Sequence, residues 1–175
     1  AWGGCKEMLG RLAQNGYAAG GPMGPVTSAF ETIGLAKVAK SAQQAQDIGY
    51  LTHNDRITMN RSRLIHDAKQ LVLELSIDYE PPTPHVFHLP GRTGKAALAL
   101  AVADLRRSGR ATPHDVIVSD ALAEILSGGD TDMVDILTEE DVLELEREAI
   151  GRLARNEDSL ARMEHMLVTG KPLRN

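Results

Sequence analysis

The sequence predicts an all-α protein with about eight helices. Apolar residues make up 42% of the chain but aromatic residues only 3%, so its core must be built from aliphatic side chains and methionine. That composition suits helix packing better than a β-sandwich, whose strands favour aromatic and β-branched residues. Every strong hydrophobic pattern from residue 60 onward has the helical period, and the Gly and Pro residues fall between these patterns. No segment shows a convincing strand pattern, and the alternative of a short extended segment stays open only at Leu51-Thr52 and Ile57-Thr58.

The first half of the chain predicts four helices. Apolar residues after Gly4 share one helical face until the Asn-Gly pair at residues 15–16. The Gly- and Pro-rich stretch 19–25 is expected to form a loop without regular structure. Ser41 is a suitable N-cap for a short helix. The four predicted helices span residues 4–15, 26–35, 42–49 and 60–76.

The second half predicts four more helices, and local start signals mark two of them. Thr112 reads as an N-cap, with Pro113 at the first helical position and Asp115 three residues after the cap. Thr138 precedes Glu-Glu-Asp in the same way. The predicted helices span residues 93–107, 113–126, 139–154 and 157–168.

Charge and composition exclude several classes of function. The net charge is −5 and basic residues are interleaved with acidic ones, so no nucleic-acid-binding surface is predicted. No apolar run reaches the roughly 18 residues that a membrane span requires. The single cysteine, Cys5, excludes an internal disulfide and fits a reducing compartment. We therefore expect a cytoplasmic protein.

Two stretches resemble consecutive landmarks of one enzyme family, in the right order. Residues 1–9 read Ala-Trp-Gly-Gly-Cys-Lys-Glu-Met-Leu, and residues 41–51 read Ser-Ala-Gln-Gln-Ala-Gln-Asp-Ile-Gly-Tyr-Leu. The first is similar to the Gly-x-Gly-Gly-Thr-x-x-Leu turn of the crotonase (enoyl-CoA hydratase/isomerase) family. The second is similar to the Ser-Ala-x-x-Ala-x-x-x-Gly-Leu-Val segment of that family. Residues 144–175 resemble its closing helices and tail more weakly.

The resemblance implies that the chain is the helical C-terminal part of a fatty-acid β-oxidation enzyme. Residues 1–82 would belong to a crotonase-like domain, residues 83–140 to a helical elaboration, and residues 141–175 to a terminal helix pair and tail. Such a tail is similar to that of bacterial bifunctional proteins in which a 3-hydroxyacyl-CoA dehydrogenase precedes the crotonase part. The full-length protein would hydrate enoyl-CoA, a lyase reaction, and oxidise 3-hydroxyacyl-CoA with NAD, an oxidoreductase reaction.

The catalytic groups of crotonases lie upstream of the first landmark, so the resemblance places none of them in this chain. By itself the chain is expected to be inactive and to bind neither a metal nor a cofactor. Its expected role is to cover the acyl-CoA site. It would contact the remainder of its own polypeptide and take part in a homo-oligomer.

The resemblance also suggests binding roles for five residues. Ala1 falls where hydratases use a backbone amide to help hold the reacting water, and alanine supplies the same N–H. Trp2 and Gly3 would border the substrate pocket, although packing of Trp2 in the core is equally compatible with the sequence. Lys171 and Arg174 resemble tail cations that contact the CoA phosphates, and solvated terminal charges are the plainer interpretation.

Residues 90–96 and Cys5 each allow a functional interpretation and a purely structural one. Residues 90–96, Pro-Gly-Arg-Thr-Gly-Lys-Ala, could address a phosphate. However, a Walker loop has its two glycines five residues apart and a Ser or Thr after the lysine, whereas these glycines are three apart and Ala follows the Lys. This departure favours an ordinary helix start. Cys5 lies at a predicted helix N-terminus, where a thiol pKa can be lowered. No histidine is close in sequence to act as its base, so a packed side chain is favoured.

Two groups of possible metal ligands are incomplete. His85 and His88 have a suitable spacing but no third ligand at a recognisable distance, which favours loop histidines. Asp130, Asp132 and Asp135 lack the glycine and the distal glutamate of a calcium loop, which favours a solvated loop.

A self-standing all-α interaction or scaffold module, with a glycine turn that matches crotonases by chance, is the alternative function. The crotonase interpretation makes one further structural prediction. Met8, Leu12, Phe30 and Ile33 would form an exposed apolar face where the sheet of the longer protein packs.

Overall fold

The computed structural model describes residues 3–14 and 21–175. These residues form eight α-helices, one 3₁₀-helix and one pair of two-residue strands, which confirms the predicted all-α class. The helices are α1 (Gly4–Gln14), α2 (Met23–Gly34), α3 (Ala42–Asp47), α4 (Leu64–Leu75), α5 (Gly91–Arg107), α6 (Pro113–Ser127), α7 (Glu139–Leu153) and α8 (Glu157–Thr169). The strands are β1 (Val86–Phe87) and β2 (Leu137–Thr138), and the 3₁₀-helix is Arg61–Arg63.

Capping boxes fix the starts of α6 and α7, as the sequence predicts. The Thr112 hydroxyl accepts a hydrogen bond from the Asp115 amide, and the Asp115 carboxylate accepts one from the Thr112 amide at 2.8 Å. Thr138 and Asp141 repeat this arrangement at α7. Each box satisfies two backbone donors that a helix start would otherwise leave unpaired. The Ser41 cap of α3 is also confirmed.

The contacts between its residues divide the chain into two compact units. The first comprises Ala1–Lys37 and His85–Asn175, and the second comprises Val38–Pro84. These two units are defined by contacts between residues. The boundaries after residues 82 and 140 were drawn from the resemblance to crotonases, which is a different criterion. That division of the chain therefore stays a prediction.

Helix α6 is the centre of the first unit. Helices α1, α2, α5 and α7 all pack against it, and α1 also packs against α2 and α7. The most deeply buried apolar side chains come from four of these helices, and each is at most 1% exposed: Leu9, Val26, Ala29, Ala123, Leu126, Val142 and Ala149. An aliphatic core of this kind agrees with the low aromatic content.

The two strands correct the prediction that no strand is present. Val86 pairs with Thr138 and Phe87 with Leu137 in an antiparallel ladder. Two residues are too few to show the alternating pattern by which strands are recognised in a sequence. The pair places Phe87 in the core, where it is 4% exposed.

The prediction that residues 19–25 form a loop is wrong for residues 23–25, which belong to α2. Residues 19–20 lie outside the described residues, but α2 already begins at Met23 and includes Pro25. A proline is tolerated in the first helical turn because the backbone N–H groups there have no partner within the helix.

The prediction of an exposed apolar face on the first helices is also wrong. Met8 is 5% exposed and Leu12 is 4% exposed, and both lie in the core of the first unit. Phe30 and Ile33 are half-buried. Helices α6 and α7 supply the packing that the prediction assigned to a sheet.

The second unit contains α3, the 3₁₀-helix and α4. Residues 50–58 form turns and bends without a strand. Leu64, Ala68 and Leu71 of α4 face a shallow cavity that residues 56–58 complete. Arg56 pairs with Glu74 at 2.5 Å. In neither unit does the described chain contain a helix that is both long and apolar enough to cross a membrane.

Candidate functional site

The carboxylate of Glu146 is the most unusual polar group of the first unit. Glu146 lies on α7 and is only 1% exposed. Its Oε2 accepts a hydrogen bond from the Gly3 amide and its Oε1 accepts one from the Lys6 amide, both at 2.8 Å. Amides at a helix start have no partner within the helix, and negative charge is favourable there. Glu146 therefore acts as a cap for α1 from a distant helix.

A second carboxylate of α7 binds the same end of α1. Lys6 Nζ lies 2.6 Å from Glu7 Oε1 and 3.0 Å from Glu139 Oε2. The other oxygen of Glu139 accepts a hydrogen bond from the His85 amide at 2.8 Å. The bonds from His85 and Lys6 lower the pKa of Glu139, and those to Glu7 and Glu139 raise the pKa of Lys6. Glu139 thus links α1, β1 and α7.

A largely apolar cavity of about 290 Å³ lies beside the Glu146 carboxylate. Cys5 and Glu146 line one part of it, and Asp115, Ser119 and Arg162 contribute the other polar side chains. Its apolar lining comes mostly from α6 and α7 and includes Ile33, Val118, Leu122, Ile125, Ile150 and Leu153.

The charged groups of the cavity are already paired with one another. Arg162 lies 2.8 Å from Asp115 Oδ1 and donates to Asn175 Oδ1 at 2.6 Å. Burial alone would raise the pKa of Asp115, but hydrogen bonds from Thr112 and Arg162 outweigh it and lower that pKa. Because Glu146 is also satisfied by amides, the cavity is suited to holding apolar groups rather than to transferring protons.

A buried histidine lies between α6 and α8. His114 is 1% exposed, its Nε2 lies 3.0 Å from Ser159 Oγ, and its Nδ1 lies 4.0 Å from Asp158 Oδ2. Ser159, His114 and Asp158 follow one another in the order of the nucleophile, base and carboxylate of a catalytic triad. However, 4.0 Å is too long for a hydrogen bond, Ser159 is 6% exposed, and neither His114 nor Ser159 lines a described cavity. The pair is best understood as packing between two helix starts.

The structure describes three of the five site residues that the resemblance suggested, namely Gly3, Lys171 and Arg174. Ala1 and Trp2 lie outside the described residues. The Gly3 amide is bound by Glu146. Lys171 and Arg174 are exposed, and Arg174 donates to the Arg110 carbonyl at 3.0 Å. No hydrogen bond or ion pair of the described chain links Gly3 to either cation, so the five binding roles stay predictions.

The packed role of Cys5 is the one that the structure supports. The side chain is 4% exposed. Burial, together with the nearby charge of Glu146, raises the pKa of the Cys5 thiol to about 12. Reactive cysteines have lowered pKa values. Its position at a helix start therefore does not activate the thiol.

Residues 90–96 serve packing rather than phosphate binding. The Arg92 amide donates to the Thr131 carbonyl, and Lys95 Nζ lies 3.0 Å from Glu124 and 3.3 Å from Asp120. A Cβ on Gly91 would lie 2.0 Å from the Thr131 carbonyl oxygen, which explains the glycine by close approach. This motif begins α5 two residues earlier than predicted.

The possible metal ligands have structural contacts instead. The ring of His85 lies over Gly10 and beside Phe87. Asp130 pairs with Arg92, and the Asp135 carboxylate accepts from the Asp132 amide. Among the described residues, no three His, Cys, Asp or Glu side chains are placed to hold one metal ion.

Sequence reasoning missed Glu146 and Arg162. The available signal was a charge on an apolar helical stripe, because Glu146 lies four residues after Val142 and three before Ala149, both buried. The partners of Glu146 lie 143 and 140 residues away in sequence, so no local pattern could have identified them.

Comparison with known proteins gives one match. Over 174 residues, 99% of its length, the chain is 40% identical to a protein of Bacillus subtilis (strain 168) described as a probable 3-hydroxyacyl-CoA dehydrogenase. The chain spans only 22% of the length of that relative. No protein-family model matches the chain, and no solved structure matches it. The similarity to crotonases therefore rests on the sequence motifs alone.

Proposed function

We propose that the chain is a helical part of a longer fatty-acid β-oxidation protein with 3-hydroxyacyl-CoA dehydrogenase activity. The observation that carries the proposal is the 40% identity over 174 residues to a probable 3-hydroxyacyl-CoA dehydrogenase. The longer protein would take acyl-CoA as substrate and NAD as cofactor. In the same proposal the crotonase-like motifs at 1–9 and 41–51 assign an enoyl-CoA hydratase activity to that protein.

The role proposed for the chain itself is not catalytic. Cys5 keeps its proton at neutral pH because its pKa is about 12. The Glu146 carboxylate is bound by two amides, and Lys6 and Glu139 pair with each other. These contacts support a role other than catalysis, and in this proposal the chain covers the acyl-CoA site and forms contacts within the longer protein and between its copies.

The decisive experiment is a chimera with the Bacillus protein. The matching segment of that protein is either deleted or replaced by this chain, and two rates are measured: NAD reduction by 3-hydroxybutyryl-CoA and hydration of crotonyl-CoA. We expect the deletion to lose activity, the replacement to regain it, and the isolated chain to show neither. Full activity after deletion, or turnover by the isolated chain, would refute the proposed role.

The tail cations give a second test in the full-length protein. If Lys171 and Arg174 contact CoA phosphates, replacing both with Ala removes charge-assisted contacts and should raise KM for acyl-CoA by about tenfold at low salt. The kcat at saturating substrate should stay unchanged. Lys69→Ala, an exposed cation in α4, is the control. An unchanged KM at low salt would show that the two tail cations are solvated charges.

A self-standing scaffold module is the second candidate function. The observation that favours it is the exposed apolar face of α4, where Ile65 is 84% and Val72 65% exposed. The chimera separates the two candidates, because a scaffold module would not restore the rates that the deletion removes.

A further inference from the structure

The cavity beside Glu146 has the size and the lining of a ligand-binding pocket. Its volume is about 290 Å³, and α2, α6, α7 and α8 all contribute residues to its wall. Pockets for small molecules begin at roughly 300 Å³ and combine an apolar lining with a few polar groups. The proposed function gives this space no occupant.

Polar contacts at both ends hold the walls of the cavity in place. At the partly exposed end, Arg162 donates to the Thr112 hydroxyl at 3.1 Å and to Asn175 Oδ1 at 2.6 Å, and it pairs with Asp115 at 2.8 Å. At the buried end, Glu146 accepts hydrogen bonds from two amides of α1. Because these walls are fixed, a ligand enters a cavity that is already formed, which favours affinity.

The charges of the lining favour a neutral ligand. Two carboxylates, those of Asp115 and Glu146, line the cavity and would repel an anion. Arg162 is the only cation among the described lining residues, and Asp115 already pairs with it. A cationic ligand would have to displace Arg162 or the amides of α1 to reach either carboxylate. An uncharged ligand leaves all of these contacts in place.

The Ser119 hydroxyl can bind a neutral oxygen atom. Ser119 lies on α6, lines the cavity and is half-buried. Its hydroxyl forms no hydrogen bond to any residue that the structure describes. A hydroxyl can donate one hydrogen bond and accept others, so it suits the oxygen of an alcohol, an ester or a thioester.

We propose that the cavity binds a neutral aliphatic chain of about eight to ten carbon atoms that carries a hydroxyl or carbonyl oxygen. A cavity of roughly 150 Å³ holds one benzene molecule, so twice that volume has room for about ten carbon atoms. The oxygen bonds to Ser119, and the chain lies along aliphatic side chains: Ile33, Val118, Leu122, Ile125, Ile150 and Leu153. The site needs no catalysis, so it can fail independently of the proposed function.

Isothermal titration calorimetry of the 175-residue chain with neutral alcohols tests the site. From 1-butanol through 1-hexanol to 1-octanol, affinity should rise about fourfold for each methylene group that is buried. It should stop rising at 1-dodecanol, which is longer than the cavity. Octanoate should bind at least about tenfold more weakly than 1-octanol, because it carries a charge next to two carboxylates. Unsaturable binding of 1-octanol, or equal binding of octanoate, would overturn the proposal.

Variants of Ser119 locate the bound ligand. Ser119→Leu fills the cavity and should abolish binding, while circular dichroism should show that α6 is retained, because leucine is a good helix former. Ser119→Ala keeps the space but loses the hydroxyl, and should weaken binding of 1-octanol about fivefold. Ala103→Leu, at an exposed position of α5, is the control and should change nothing. A dissociation constant that neither Ser119 variant changes, or that Ala103→Leu changes equally, would contradict the site.

Competition with octanoyl-CoA distinguishes two sources of the chain. If octanoyl-CoA displaces 1-octanol from the parent chain and does not bind Ser119→Leu, the cavity takes the acyl chain of a thioester. If it does not displace 1-octanol, the cavity takes a free neutral lipid. CoA without an acyl group should displace nothing. Displacement by CoA alone would show that the cavity recognises the nucleotide rather than an aliphatic chain, against the proposal.

Discussion

At the scale of single residues, Glu146 shows how a buried charge can stabilise a fold without taking part in chemistry. Its two oxygens each accept a hydrogen bond from one amide of the first helical turn, so a helix start and a negative charge satisfy each other. The same carboxylate contributes to the raised pKa of Cys5, after burial itself. The Glu146 carboxylate thus holds α1 on α7, and its charge adds to the burial that keeps the neighbouring thiol protonated.

Replacing Glu146 with Ala should destabilise the chain by about 3 kcal/mol, because two buried amides lose their acceptors. Glu146→Gln should be only partly tolerated, since its NH₂ group would face one of the two N–H donors. Urea unfolding measures both variants. Glu148→Ala, at an exposed position of the same helix, should stay within about 0.5 kcal/mol of the parent. Equal effects at 146 and 148 would contradict the capping role.

Cys5 should make the chain less stable in alkali. The pKa of the thiol is about 12 in the folded chain, against an ordinary value of 9.0. Above about pH 9 the unfolded thiol releases its proton while the folded one retains it, so the free energy of unfolding falls by up to about 1.4 kcal/mol per pH unit. The contribution of the thiol is complete below pH 9 and is lost as the pH rises towards 12.

Urea unfolding of the parent chain and of Cys5→Ala between pH 8 and pH 11 measures this contribution. The two proteins differ only at residue 5, so the difference between the two slopes isolates Cys5. The alanine variant should lose less stability above pH 9. Parallel slopes would show that Cys5 is not held protonated by the fold.

At the scale of elements, the sequence predicts a helix well where its signals are local. Helices α6 and α7 begin where the capping residues Thr112 and Thr138 place them. The start of α5 differs from the prediction at Gly91, which packs closely against Thr131. The start of α2 differs because Pro25, read as part of a loop, lies in the first helical turn, where proline is tolerated. Distance along the chain hid the site, since the amide partners of Glu146 lie far away in sequence.

Gly91 and Gly109 form a matched pair for testing that contact. Both have positive φ, 58° and 70°, but a Cβ at Gly91 would lie 2.0 Å from the Thr131 carbonyl oxygen, whereas one at Gly109 would meet nothing within 4 Å. Gly109→Ala should therefore cost only the backbone strain, about 1 kcal/mol, and Gly91→Ala about 3 kcal/mol or more. Thermal unfolding measures both, and equal costs would show that close approach does not explain Gly91.

At the scale of the whole molecule, stability is divided unevenly between the two units. The first has a core around α6, with Leu126 and Val142 fully buried, whereas the second buries only Gly49. Regions with few buried apolar contacts open at low free energy, while core helices open only on global unfolding. The sequence does not reveal this difference between the units, because α4 has as clear an apolar face as the helices of the core.

Amide hydrogen exchange should therefore separate the two units. At low chain concentration we expect amides of α4 to exchange at least about 100-fold faster than those of α6, because α4 lacks a packed partner. Equal exchange of α4 and α6 in the dilute parent chain would show that the second unit is stabilised by contacts other than those of its apolar face.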